Sequence, residues 1–260
     1  MYILSIDIGI KHLAHCLFRK ENEITIVEWG VVNLMKPAQT CRGKRTPCGK
    51  RALYSKDGQG YCGIHAKHCG IPLPRKELAH IKSKSLPQLH SLCTLCSIPY
   101  TNEPKAELLT LLQAYQERCL IPIAKEKTKE YTAVDLGFSL QHHYDRLFHS
   151  YTMDHVVVEN QIGPLASKMK CLQGMVMQYW IMKGVKHIHG VSSTHKLNFL
   201  QSTETTYAGR KKESIVQAKK IIADRGWAEW ESVFSSHPKK DDLSDTLLQG
   251  LWFISTLDRR

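Results

Sequence analysis

No stretch of this 260-residue chain reaches the roughly 18 consecutive apolar residues of a membrane-spanning helix. The opening MYILSIDIG has neither a basic n-region nor a small-residue cleavage site, so it reads as a first buried strand, and an intracellular protein is expected. There is no P-loop, no Rossmann glycine fingerprint and no Ser/His/Asp arrangement, which removes nucleotide-cradling and serine-nucleophile chemistries. Internal repeats and low-complexity linkers are also missing. Acidic residues are in short supply: 24 Asp and Glu stand against 36 Lys and Arg, giving a formal charge of +12. Such an excess favours a polyanionic partner, nucleic acid before membrane surface, through phosphate contacts and counterion release. With 42% apolar and 23% charged residues, the chain has the composition of one sizeable domain, or one domain with a small appended module.

What is present changes texture along the chain. YILSIDI, HLAHCLF and EITIVEWGVV read as three strands of an N-terminal antiparallel meander. From about Pro37 to Pro104 the sequence turns rich in Gly, Lys, Arg, Cys and His and poor in apolar periodicity, which marks an insertion with little core of its own. Beyond it, AELLTLLQAYQERCLIPIAKE and SLQHHYDRLFHSY carry helical spacing. DHVVVEN is apolar without alternation, as expected of a strand buried on both faces in mid-sheet. LASKMKCLQGMVMQYWIMKG, RKKESIVQAKKIIADRG and a last segment from about Asp241 to Leu257 read as helices, with VKHIHGV as a further strand. The expectation is an α/β protein with a mixed sheet flanked by helices, its core formed by 1–36 and 104–260 and its Cys/His-rich insertion by 37–103.

Several carboxylates sit where apolar periodicity says they should not. Asp7 interrupts the first strand, Glu159 ends the Val-rich strand, and Asp242 and Asp245 lie three apart on the last helix, about 60° apart around its axis. A carboxylate beside a buried strand is costly unless paired or holding a cation. A pair of Mg²⁺ ions about 4 Å apart, clamping a phosphodiester, needs such hard oxygen ligands from several elements. Leu243, Leu247, Leu251 and Ile254 are expected to anchor that helix from the opposite side. Asp241 stays open as an alternative, since it lies i,i+4 from Asp245; it also suits a helix cap.

Six of the nine cysteines fall between Cys41 and Cys96. In an intracellular chain this clustering argues for metal before disulfide. Cys41, Cys48, Cys62 and His65 offer a four-coordinate structural Zn²⁺ site. Cys93-x2-Cys96 is a second knuckle, able to combine with Cys69 and His90 or to replace members of the first set. Cys16, Cys119 and Cys171 fall in apolar patterns and are read as core.

Three segments carry a resemblance. SIDIGIKHLAHC, VVVENQIGPLASKMK and HPKKDDLSDTLLQG, in this order and spacing, resemble the signature segments of the RuvC-like Holliday junction resolvases of poxviruses and other large DNA viruses, and more distantly those of fungal mitochondria. The resemblance covers residues 1–34 and about 130–257 but not the insertion. It implies an RNase H-like fold, a homodimer, and Mg²⁺-dependent nicking of four-way DNA junctions that leaves a 5′-phosphate and a 3′-hydroxyl. It further implies the cytoplasm or nucleus of an infected cell if the protein is viral. Carried over by position, Asp7, Glu159, Asp242 and Asp245 are the metal ligands, with Asp241 in play if the register slips by one. The resemblance also places Lys196, and Lys211 or Lys212, near scissile or flanking phosphates, and sets Lys239 and Lys240 beside the acids. Gln161 either hydrogen-bonds DNA or caps a turn. The helix holding Met175, Val176, Met177, Tyr179, Trp180, Ile181 and Met182 is expected at the dimer interface. Two rivals remain: a nuclease with the same core acting in rRNA processing or transposition, and a catalytically silent nucleic-acid-binding protein.

Overall fold

The computed structural model describes residues 1–43, 48–161, 167–193 and 206–259. The chain forms two compact units, one from Met1–Lys36 with Lys127–Arg260, the other from Pro37–Glu126.

The first unit begins with β1 (Tyr2–Asp7), β2 (Leu13–Lys20) and β3 (Ile24–Val32), each antiparallel to the next. This is the expected meander. Gly9 makes the first turn possible, because a Cβ there would collide with the carbonyl of His12.

The second unit contains β4 (Tyr54–Lys56), β5 (Gln59–Tyr61), α1 (Gly63–His68), α2 (Leu86–Leu95), α3 (Lys105–Arg118) and β6 (Ile121–Pro122), with strand order β5-β4-β6. Its boundary falls later than the expected 103. The reason is packing: Leu108 and Leu112 of α3 close an apolar cluster with Leu78, Ile81, Leu89, Leu92, Cys93 and Ile98. The insertion therefore has a small core of its own, supplied by a helix that periodicity alone had assigned to the larger unit.

The larger unit resumes with α4 (Ala133–Phe148), β7 (His155–Glu159), α5 (Ser167–Met182), β8 (His187–Val191), α6 (Tyr207–Asp224), α7 (Ala228–Ser236) and α8 (Lys240–Leu257). Thr132 starts α4 by accepting from the Asp135 backbone N–H at 3.1 Å while Asp135 bonds back, a reciprocal cap. Leu136, Leu140, Tyr144 and Phe148 then recur every four residues and are buried. The sheet order is β3-β2-β1-β7-β8, with β1, β7 and β8 parallel. Val156, Val157 and Val158 are fully buried in mid-sheet, as the unbroken Val run predicts.

Alternation along the strands sorts residues to two faces. Leu4, Ile6, Val156 and Val158 pack against α4 and α5, whereas Ile3 and Val157 pack with residues of α6, α7 and α8. The last helix is more deeply embedded than a one-sided anchor: Leu243, Leu247, Leu251 and Ile254 are buried, and so are Ser244, Thr246, Leu248, Gln249 and Gly250. At Gly250 any Cβ would run into the Phe18 ring, so glycine lets the helix lie close on β2. Trp29 of β3 fixes its rotation, donating from Nε1 to the Leu243 carbonyl at 3.1 Å. Helix α7 was not anticipated, being a nine-residue element that buries only Phe234.

Candidate active site

Asp7 shares the parity of Ile3 and Ser5 on β1, and Glu159 that of Val157 on β7, so both carboxylates belong to the sheet face covered by α8. The strand register pairs Ile6 with Val158, and its next step sets Asp7 beside Glu159. Asp245 arrives from α8. One carboxylate oxygen from each of Asp7, Glu159 and Asp245 lies within 4.8 Å of the other two. All three residues are half-buried. Such a set of hard oxygen donors at the carboxyl ends of two parallel strands fits Mg²⁺ or Mn²⁺ chemistry.

The three acids line a cleft of about 360 Å³ together with Asp242, Gln161, Ser193, Arg210, Lys211 and Ser214. Asp242 is on the cleft wall but outside the trio, and its Oδ2 faces Lys239 Nζ at 3.3 Å. Asp241 does not line the cleft. Lys211 Nζ approaches its Oδ2 at 2.6 Å and Lys239 Nζ at 3.1 Å. Burial works against the Asp241 charge, but hydrogen bonds from these two lysines outweigh it and hold the carboxyl at about 2. Lys211 thus has one side in the cleft and an anionic partner beneath it.

The other expected basic residues divide. Lys212 is exposed and off the cleft, Lys240 starts α8 without lining it, and Lys196 lies outside the described residues. Gln161 lines the cleft, and its backbone N–H donates to Gln173 Oε1 at 3.0 Å. Arg210, which its place in a run of cations did not single out, lines the same cleft, and its buried Nε has no hydrogen-bond partner among the described residues. The signal was available in the adjoining triplet Arg210-Lys211-Lys212, where helical spacing turns only part of a charge run inward.

In the second unit, Cys41, Cys48, Cys62 and His65 bring four ligand atoms within 4.8 Å of one another. Backbone pairing builds the site: Cys41 N–H donates to Lys50 O at 2.7 Å and Cys48 N–H to Cys41 O at 3.0 Å. His65 Nδ1 lies 3.2 Å from Cys41 Sγ and 3.6 Å from Cys62 Sγ. The backbone N–H of His65 and, against burial, that of Ile64 point at the Cys62 sulfur, and with hydrogen bonds from Cys41 and Cys48 they lower its thiol to about 6. A sulfur surrounded by donors is poised as a thiolate, and a set of three cysteine sulfurs and one imidazole nitrogen fits Zn²⁺.

The second knuckle is not assembled among the described residues. Cys93 and Cys96 sit in the apolar cluster, where burial pushes both thiols up, so they pack as small apolar side chains. Cys16 and Cys119 are buried as expected, but Cys171 is exposed, because it falls on the outer side of α5 opposite Leu172, Val176 and Trp180.

No family model matches the chain. An uncharacterised protein of Acanthamoeba polyphaga mimivirus is 24% identical over 319 aligned positions, covering 98% of this chain and 74% of that one. Among solved structures, the fowlpox virus resolvase in complex with substrate Holliday junction DNA aligns with a TM-score of 0.50 and 13% identity over 99% of both chains. The chain has the RuvC-like resolvase fold. The RuvC of Thermus thermophilus in complex with a Holliday junction substrate is also similar, with a TM-score of 0.45 and 11% identity over 98% of this chain and 96% of that one. No helix among the described residues is long and apolar enough to cross a membrane.

Proposed function

We propose that this protein is a divalent-metal-dependent endonuclease that resolves four-way DNA junctions. The observation that carries the reading is the convergence of Asp7, Glu159 and Asp245 from three separate elements onto one cleft of a resolvase fold. Divalent cations bound there supply the positive charge that phosphodiester hydrolysis requires. The chain's own part is geometric: β1, β7 and α8 hold the carboxylates in fixed register, Asp242 adds a further oxygen ligand from the cleft wall, and Arg210 and Lys211 bring positive charge to the strand's phosphates. The basic excess of the chain and the fowlpox relative's complex with junction DNA support this substrate. We assign one structural Zn²⁺ to Cys41, Cys48, Cys62 and His65, and a homodimer as the working assembly.

The test is cleavage of a fluorescent four-way junction in Mg²⁺ beside matched duplex and single strand. The junction should be cut and the others spared. Asp245→Asn should lose cutting by more than a hundredfold, about 2.7 kcal/mol of transition-state stabilisation, and keep or tighten junction binding. Wild-type cutting by Asp245→Asn would refute the metal assignment, and equal cutting of duplex would refute the substrate.

A further inference from the structure

Residues 37–126 contain fourteen Lys and Arg against six Asp and Glu, so this segment carries +8 of the chain's +12. Part of that charge is organised. Lys50, Arg51, Lys67 and His68, all exposed, surround a concavity of about 600 Å³ floored by Leu53 and Ile64. These two aliphatic side chains are 46% and 58% exposed beside Lys50, Arg51 and Lys67. Lys50, Arg51 and Lys67 make no ion pair among the described residues.

We propose that this face binds the sugar–phosphate backbone of duplex DNA, as a contact surface in addition to the acidic cleft. The inference rests on reading the protein as a DNA nuclease, and it assigns the insertion a part in holding that substrate. Unneutralised cations held close together repel one another, and a polyanion relieves the repulsion while releasing its counterions. A duplex arm also presents apolar deoxyribose between its phosphates, which gives Leu53 and Ile64 a partner that free phosphate lacks.

The cations are presented on ordered backbone. Thr40 bridges to Arg51, Cys41 N–H donates to Lys50 O at 2.7 Å, and Ala52 N–H donates to Gln39 O at 2.8 Å. Lys67 and His68 stand on α1, which begins immediately after Cys62. The same Cys/His group that would hold zinc therefore fixes both sides of the concavity, so side chains are positioned before DNA arrives.

The test uses the full chain carrying Asp245→Asn, with Ca²⁺ in place of Mg²⁺ and no chelator, so that zinc is retained. Anisotropy of a fluorescein-labelled junction, and of a duplex with one arm's sequence, is followed against salt. In Lys50→Gln/Arg51→Gln/Lys67→Gln, log K should fall less steeply with log[salt], by about 2 to 3 in slope, since each lost phosphate contact removes about 0.9. Affinity at low salt should drop at least tenfold for both DNAs, while the same substitutions in the wild-type background leave the single-turnover rate at saturating enzyme within about twofold. Lys67→Glu alone, on the exposed side of α1, should reduce the slope by about 1 and serves if the triple variant loses zinc. An unchanged slope in a folded, zinc-loaded variant overturns the proposal, as it would if the face served an acidic protein partner. Failure of the unsubstituted chain to bind any DNA overturns the nuclease reading instead.

Discussion

The side-chain amide of Gln249 donates from Nε2 to the carbonyl of Ile6 at 3.2 Å, the residue immediately before Asp7. The same nitrogen lies 3.3 Å from the Val157 carbonyl, two residues before Glu159, and 3.1 Å from Ser5 Oγ. Gln249 stands one helical turn beyond Asp245 and is only 3% exposed. One buried amide thus ties together the three elements that carry the carboxylates, and it acts as a positioning residue. Gln249→Leu, of similar volume, should cost about 1–3 kcal/mol in urea unfolding by leaving polar atoms poorly satisfied. It should also raise the Mg²⁺ concentration at half-maximal cleavage, because the donors lose their common register. A variant destabilised by that amount but with unaltered Mg²⁺ dependence would reduce Gln249 to a packing role.

Arg210 is predicted to meet the substrate directly. The buried Nε of Arg210 has no acceptor among the described residues, in a cleft lined by carboxylates, and such a donor is costly unless a ligand supplies the acceptor. Arg210→Gln should weaken junction cleavage by about ten- to a hundredfold, the scale of one charge-assisted hydrogen bond of about 1.5–3 kcal/mol. Arg210→Lys should recover only part, since a point charge cannot reproduce the planar donor. Steady-state cleavage equal to wild type in Arg210→Gln would remove it from the site.

Much of this arrangement was legible in the sequence because misplaced acids stand out against an apolar pattern. Asp7 and Glu159 break buried strands, but it takes the observed pairing of Ile6 with Val158 to place both on one face. Asp242 and Asp245 were read as equivalent from helical spacing, but spacing cannot tell which of them meets the strand ends and which faces Lys239. Arg210 was hidden inside a run of three cations. The insertion's boundary was missed because α3 has an ordinary amphipathic pattern, and such a pattern shows that a helix is half-buried without naming the core it covers. Cys62 and His65 were recognisable from their spacing, whereas the exclusion of Cys93 and Cys96 depended on their burial beside Leu89 and Leu108.

The Cys/His group should make the insertion zinc-dependent. Protein kept reduced during purification is expected to hold about one zinc per chain by elemental analysis. Cys62→Ser should lose it and unfold residues 37–126 preferentially, seen as loss of hydrogen-exchange protection at Leu89 and Leu108, while β1 and β7 keep theirs. Zinc-free protein with unchanged protection across the insertion would contradict the assignment.

His155 gives the larger unit an acid-side weakness. Its Nδ1 lies 3.2 Å from His189 Nε2, and its ring stacks on His187 with centroids 5.0 Å apart. Burial, with the neighbouring His187, holds its pKa below the ordinary 6.5, against the pull of Asp154. In the unfolded chain the imidazole protonates near the ordinary value, so between that pH and the lower folded one the unfolded state binds more protons. Stability therefore falls as pH drops through about 6.5 and levels off below the folded value. His155→Phe, which keeps the ring stack but cannot titrate, should lose less thermal stability than wild type between about pH 7 and pH 5. Parallel melting curves for the two proteins across that range would show that His155 is not responsible.

A four-way junction has approximate two-fold symmetry, and one active site cuts one strand per encounter, so paired incision calls for a closed two-fold dimer. The helix expected at that interface is only partly available. Val176 and Trp180 are spent in the core of their own protomer, and Met175, Met177 and Tyr179 pack partly against it, which leaves Ile181 and Met182 at 55% and 78% exposure. Val134 and Phe138 on the neighbouring α4 are 65% and 70% exposed. Large apolar side chains standing in water on two adjacent helices are the raw material of a contact core. Sedimentation should therefore give a species near twice 29.7 kDa. Ile181→Glu/Met182→Glu should shift it toward monomer, since like charges would meet across the two-fold axis. With a plasmid that extrudes a cruciform, the wild type should release linear DNA, whereas this variant should accumulate nicked circles at the same bound fraction. A wild type that remains monomeric and yields only nicked circles with all the cruciform bound would refute paired incision and leave the Asp7, Glu159 and Asp245 cleft as the site of a one-strand nuclease.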